Sequence, residues 1–258
     1  MLAFGLQAQA GTIYVSTNGT HDVAGRFGTW ATAATNVTEA VAIASSGETV
    51  LVSNGTYRLT NQVSVATNFS VQSVNGPDVT AIYRDSAFSN RMFVVSNSSA
   101  LVAGFTISNA YVNVYGSGQA VELYGGTLSN CVITRCNSLP IGGLQANVML
   151  INGGLVTHCV ISNNQSRSKV VTVNGSGVLA ASAIAMNQTP YDPAPLILSG
   201  GGVARRGRIF RNTGGGATPG AAYIGEYGLG GRMENCWVWG NYGGWGAIRI
   251  DSGSMVNC

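Results

Sequence analysis

Short apolar runs closed by small or polar residues recur along most of this chain. From residue 102 they read VAGFTISN, LSNCVITRC, VTHCVISNN, LAASAIAMN, ARRGRIFRN and MENCWVWGN, with a last fragment MVNC. Aligned on the apolar residue near their end, Ile107, Ile133, Ile161, Ile184, Ile209 and Val238 form one column, at intervals of 26, 28, 23, 25 and 29 residues. A second run leads into each Gly turn: AVELYGG, NVMLINGG, VVTVNGSG, LILSGGG, AYIGEYG and GAIRIDSG. Within these runs the period is two. It predicts Val121 and Leu123 inward with Glu122 outward, and Ile248 and Ile250 inward with Arg249 outward. The chain therefore reads strand, Gly turn, strand, Asn turn, repeated. Helical repeats hold their length more tightly than this, whereas a β-solenoid adds one coil per turn and lets its loops absorb the variation.

Stacked coils place equivalent residues about 4.8 Å apart. The position two residues before each aligned apolar residue holds Cys131, Cys159, Ser182, Gly207 and Cys236, and Cys258 follows Cys236 by 22 residues. A small, mostly apolar set at one narrow place predicts a structural ladder of buried thiols. A disulfide between neighbouring coils is the alternative, with Cys136 left outside the slot. Zinc is excluded by spacing, because there is no CxxC pair and the two histidines are His21 and His158. Asn163 or Asn164, Asn187, Asn212 and Asn241 close successive coils and predict an amide ladder.

Composition sharpens this reading. Charged residues are only 9% of the 258, lysine occurs once, at Lys169, and hydrophobic residues make up 45%, which argues against disorder. A formal charge of +3 is too small to imply nucleic acid as a partner. No apolar run has the length of a membrane span. The opening MLAFGLQAQA is apolar and ends in Ala8-Gln9-Ala10. It reads as a signal-peptide remnant without a basic start, or as a cap strand. The first reading puts the protein outside the cell or on its surface.

Residues 11–97 differ in texture and are expected to form an N-terminal cap and the first coils. A short helix from about Thr38 to Ala44 would cover the end of the core. Residues 98–258 are expected to form coils of 22–29 residues. The stretches IYVSTNGT, GTWATAATNVTEAVAIASSGETVLVSNGTY, SVQSVNGPDVTAI, VAGFTISNA and the SNCVI-type coils resemble the secreted parallel β-helix repeat proteins of the pectate-lyase-like superfamily. Relatives of the polymorphic outer-membrane-protein repeat are part of that likeness, which covers nearly the whole chain. It implies an all-β fold: a right-handed, single-stranded parallel β-helix with a short N-terminal capping helix. It does not choose a function, since that superfamily hosts lyases, hydrolases, epimerases and adhesins. The run stops at MVNC, partway through a coil. An end left open there would offer unpaired strand edges to a second copy docking head to tail, building a fibre.

Lyases of that superfamily remove a proton beside a uronate carboxylate, with a Lys or Arg base and with Ca2+ or Arg against the substrate charge. No acidic cluster here suggests Ca2+, so no cofactor is expected unless the lyase reading holds. Lys169, in QSRSKVV, reads as a solvated turn residue. Glu122 and Glu226, with Arg249 near the latter, are candidate groove residues. As a carboxylate pair they fail, since four coils put them about 19 Å apart, beyond the roughly 5–10 Å glycoside hydrolysis uses. The outstanding surface is Arg208 and Phe210 beside Trp237 and Trp239 of the next coil. It reads either as a platform for sugar rings or a protein partner, or as a cation–π cluster under loops 187–202 and 213–230. Arg205, Arg206, Arg208 and Arg211 suit an acidic glycan or an ordinary solvated face. The leading expectation is a non-catalytic structural or adhesive element. A polysaccharide lyase acting on acidic glycans and a glycan-binding fibre module are the rivals.

Overall fold

A computed structural model describes residues 11–84, 91–111, 118–138, 147–191 and 194–258; the opening MLAFGLQAQA lies outside them. The chain is a parallel β-helix. Sheet A has ten strands, from Thr12–Val15 to Gly253–Val256, and runs without a break along the molecule. Sheets B and C have eight strands each, from Gly55–Arg58 to Trp237–Trp239 and from Val63–Val65 to Ile248–Ile250. A four-stranded sheet D, from Asn137–Ser138 to Thr213–Gly214, lies between B and C in chain order.

The aligned apolar column is the register of sheet B. Ile107 pairs with Ile133, then Ile161, Ile184, Ile209 and Val238 follow in turn, and the column extends back through Ile82 to Tyr57. Ile107 to Ile209 are all buried. Each such side chain stabilises the fold by about 1.5–3 kcal/mol through burial, which is why the pattern persists while loop lengths wander.

Where the sequence suggests two strands per coil, the structure has three and in places a fourth. Runs such as LSNCVITRC bend midway, between sheets A and B, on one left-handed residue. Its occupants are Gly104, Asn130, His158, Ala181, Arg206, Asn235 and Asn257, with φ between 45° and 84°. A second left-handed corner ends sheet B at Asn109, Arg135, Asn163, Met186, Arg211 and Gly240. A single left-handed residue turns the chain without interrupting the apolar run, so the corner is hidden wherever Ala, His, Met or Arg occupies it. The Gly turns between sheets C and A are of another kind. A side chain on Gly154 (φ 76°) would lie 2.5 Å from the Gly126 carbonyl oxygen, so two stacked turns require glycine there.

At the first coil a helix, α1 (Val37–Ala42), is capped by Asn36, whose side chain accepts the Thr38 N–H at 2.8 Å. Val37, Ala40 and Val41 are buried and pack with the first strands of sheets A and C. In the last coil the inward residues lose their cover on one side. Ile248 is half-buried and Ile250 is 45% exposed, because Ile248–Ile250 has a neighbour on one side only. Alternation alone put both in the core.

Candidate functional site

Two buried ladders fix the coils to one another. In the cysteine slot, each side chain donates to the carbonyl two residues back and accepts an N–H from the coil before. The Cys131, Cys159, Cys236 and Cys258 thiols donate to Ser129, Thr157, Glu234 and Val256 at 3.3 Å each. Ser182 Oγ accepts from Cys159 N–H (3.1 Å), Cys236 Sγ from Gly207 N–H (3.4 Å) and Cys258 Sγ from Cys236 N–H (3.3 Å). All five cysteines are free thiols, and all but Cys258 are buried. Contact with the Cys131 thiol, reinforced by burial, holds Cys159 well above the ordinary thiol range.

The second ladder is Asn164, Asn187, Asn212 and Asn241. The amide nitrogens of the first three donate to the next Oδ1 at 2.9–3.0 Å, that of Asn241 donates to the Ile209 and Trp239 carbonyls, and each Oδ1 also accepts the backbone N–H one coil earlier. Cys136 stands at the head of this column, its N–H donating to Asn164 Oδ1 at 2.9 Å. The cysteine that had no slot belongs here. The signal was available in the sequence, since Cys136 follows Ile133 by three residues, as Asn164 follows Ile161.

The groove residues are not gathered into one site. Glu122 does point away from the core, yet it is buried, ion-paired with Arg91 at 2.6 Å and accepting from Tyr124 Oη at 2.7 Å. Glu226, also buried, pairs with Lys169. Lys169 is thus not a solvated turn residue, because its ammonium reaches from one coil across to the 3-10 turn Glu226–Gly228. Arg249 makes a two-pronged contact with Asp251 (2.7 and 2.8 Å) and lies 4.7 Å from the ring centres of Tyr223 and Trp245. That guanidinium holds Asp251 below the usual carboxylate range. Burial and the Asp251 hydrogen bond push Tyr223 up to about 12. Along the sheet C column running Glu122, Leu150, Thr172, Ile197, Tyr223 and Arg249, the middle residues Leu150, Thr172 and Ile197 are buried. The outer side of sheet C is therefore covered there. Calcium would need several carboxylates facing one point. Glu122, Glu226 and Asp251 each face a different cation instead, and no metal-holding group of His, Cys, Asp or Glu occurs among the described residues. The residues do not fit that ion.

The aromatic surface on sheet B is open. Arg208 pairs in register with Trp237, and Phe210 with Trp239. The Phe210 and Trp239 rings stack at 4.4 Å, 4° from parallel. Trp237 is 73% exposed and Trp239 44%, so among the described residues no loop closes over them. Two residues apart on one strand, they leave the sheet on the same side about 7 Å from each other. Tyr227, Tyr242 and Trp245 are exposed in the same stretch of chain. The sequence placed these rings correctly because register alone sets them side by side.

No protein-family model matches the chain, and no curated protein matches it. Among solved structures it is similar to the crystal structure of pectate lyase Pel9A, with 15% sequence identity and a TM-score of 0.44. That similarity covers 92% of this chain and 55% of the lyase, so the chain spans about half the lyase's length.

Proposed function

We propose that this β-helix is a non-catalytic surface element, working outside the cell or on its surface, that holds carbohydrate against the open aromatic face of sheet B. One observation carries the reading: Trp237 and Trp239 stand exposed side by side, Trp239 backed by Phe210, on a chain whose other surface is mostly Asn, Ser, Thr and Gly. Exposed tryptophans beside polar neighbours offer the flat apolar faces on which pyranose rings stack, with hydrogen-bonding groups at the rim. The stacked Phe210 fixes the Trp239 ring in advance, which lowers the ordering cost of binding. The charged groups of sheet C support the non-catalytic part. Glu122, Glu226 and Asp251 are each engaged by a cation, and the middle of that face is covered.

Intrinsic tryptophan fluorescence, titrated with a panel of soluble polysaccharides, tests the binding. Read by isothermal titration calorimetry, which needs no tryptophan, Trp237→Ala with Trp239→Ala should abolish binding while leaving the thermal midpoint nearly unchanged. Retained binding in that variant removes the reading. Its non-catalytic half is tested by incubating uronic-acid polymers with the protein and following ultraviolet absorbance of an unsaturated product; turnover there refutes it.

A further inference from the structure

We infer that the sheet B strand in the coil of Ile209, with the corners at its two ends, binds an anionic glycan bearing carboxylate or sulfate groups. This rests on the carbohydrate reading and adds the charge of the ligand. Arg26, Arg91, Lys169, Arg232 and Arg249 each hold a carboxylate, and Arg167 lies over the Tyr191 ring. Arg205, Arg206, Arg208 and Arg211 hold none among the described residues, and all four are exposed. Arg232, exposed on the next strand of sheet A, is partnered by Glu234. These five arginines and one glutamate amount to +4, against +3 for the entire chain, so everything else together carries −1.

The placement is as selective as the count. Other coils use Asn or Gly at most of these left-handed corners, whereas this coil has Arg206 (φ 53°) and Arg211 (φ 54°) at its two corners. Corner side chains point away from the solenoid, so both guanidinium groups flank the strand Arg208–Phe210, whose neighbour is Trp237–Trp239. Guanidinium forks match carboxylate and sulfate oxygens and need no metal ion between them. Rings for stacking and forks for anions thus occupy adjoining rungs. Sheet C and its paired acids take no part. A nucleic acid is disfavoured because its backbone asks for a basic stripe along its path, and here the positive charge is confined to two adjoining coils.

Alginate and dextran sulfate serve as carboxylate and sulfate probes, with neutral hydroxyethylcellulose and oligodeoxythymidine beside them, read by tryptophan fluorescence of the full chain. Both anionic glycans should bind, and more weakly as salt is raised from about 0.05 to 0.5 M, since screening shortens the reach of exposed charges. Arg206→Asn, Arg208→Gln and Arg211→Asn combined should weaken binding at least tenfold, each charge-assisted contact being worth roughly that factor. Asn tolerates the left-handed corner, and circular dichroism checks the fold. Arg208→Gln alone, mid-strand, keeps the test alive if the triple variant melts. Whichever probe binds more tightly names the anion. If hydroxyethylcellulose binds as well as the anionic glycans, or the arginine variants bind unchanged, the inference falls and the carbohydrate reading survives. Absence of binding to any glycan removes both. Oligodeoxythymidine binding as tightly as the glycans overturns the inference in favour of nucleic acid.

Discussion

Asn187→Ala tests the stacking scheme most directly. The Asn187 amide is fully buried and fully used. Its Oδ1 accepts from Asn164 N–H and Asn164 Nδ2, both at 3.0 Å, while its Nδ2 donates to the Ile161 carbonyl at 2.9 Å and to Asn212 Oδ1 at 3.0 Å. Alanine would orphan two donors on Asn164 and one acceptor on Ile161. Asn212 Oδ1 keeps its bond from the residue 187 backbone N–H. Each buried, unsatisfied donor costs about 1–3 kcal/mol, so the expected loss is about 4 kcal/mol. For a chain of this size that is a fall in melting midpoint of roughly 8–16 °C. Differential scanning calorimetry measures it, and hydrogen exchange at Asn164 N–H should accelerate locally. Cys136→Ala, at the head of the same column, removes a thiol and no amide bonds, and should cost clearly less. A loss below about 1 kcal/mol for Asn187→Ala, or equal losses for the two variants, refutes the claim that amide bonding holds the coils in register.

Ala181→Gly relieves a left-handed corner (φ 45°) and should raise stability by about 0.5–1 kcal/mol, seen as a higher melting midpoint. In thiol labelling of the native protein Cys258 should react alone, and the four buried cysteines only after unfolding. Burial pushes the Cys136 thiol up to about 12 from an ordinary 9.0. The unfolded chain therefore releases that proton first, and this contribution to stability, complete below pH 9, is lost as pH climbs towards 12. Alkaline unfolding curves should flatten in Cys136→Ala. Lys169→Met strands Glu226 in a buried place and should cost about 3 kcal/mol by chemical denaturation, with much of it recovered on adding Glu226→Gln.

What could be read in advance follows from the geometry of stacking. A solenoid converts an offset from the inward residue into a spatial neighbour one rung away. Six aligned residues therefore located the sheet B column, the cysteine slot, three members of the amide ladder and the Phe210–Trp239 contact. The same arithmetic accommodates Cys136, three residues after Ile133. Corners were not legible, because Ala181, His158, Met186 and Arg206 adopt a backbone conformation their side chains do not advertise.

The remainder is set by side chains meeting across coils of unequal length. Lys169 finds Glu226 57 residues away, and Arg91 finds Glu122 from an earlier coil. No periodicity encodes such pairings, because the connections that hold Arg91, Lys169 and Glu226 vary in length from coil to coil and repeat none of these three residues. The sequence by itself determined the winding and which residues share a rung, since both depend on local offsets. Only the tertiary structure decided which outward residues stay outside. It buried Glu122 and left Trp237 in water, because cover depends on what crosses over a strand and not on the direction in which its side chain leaves the sheet.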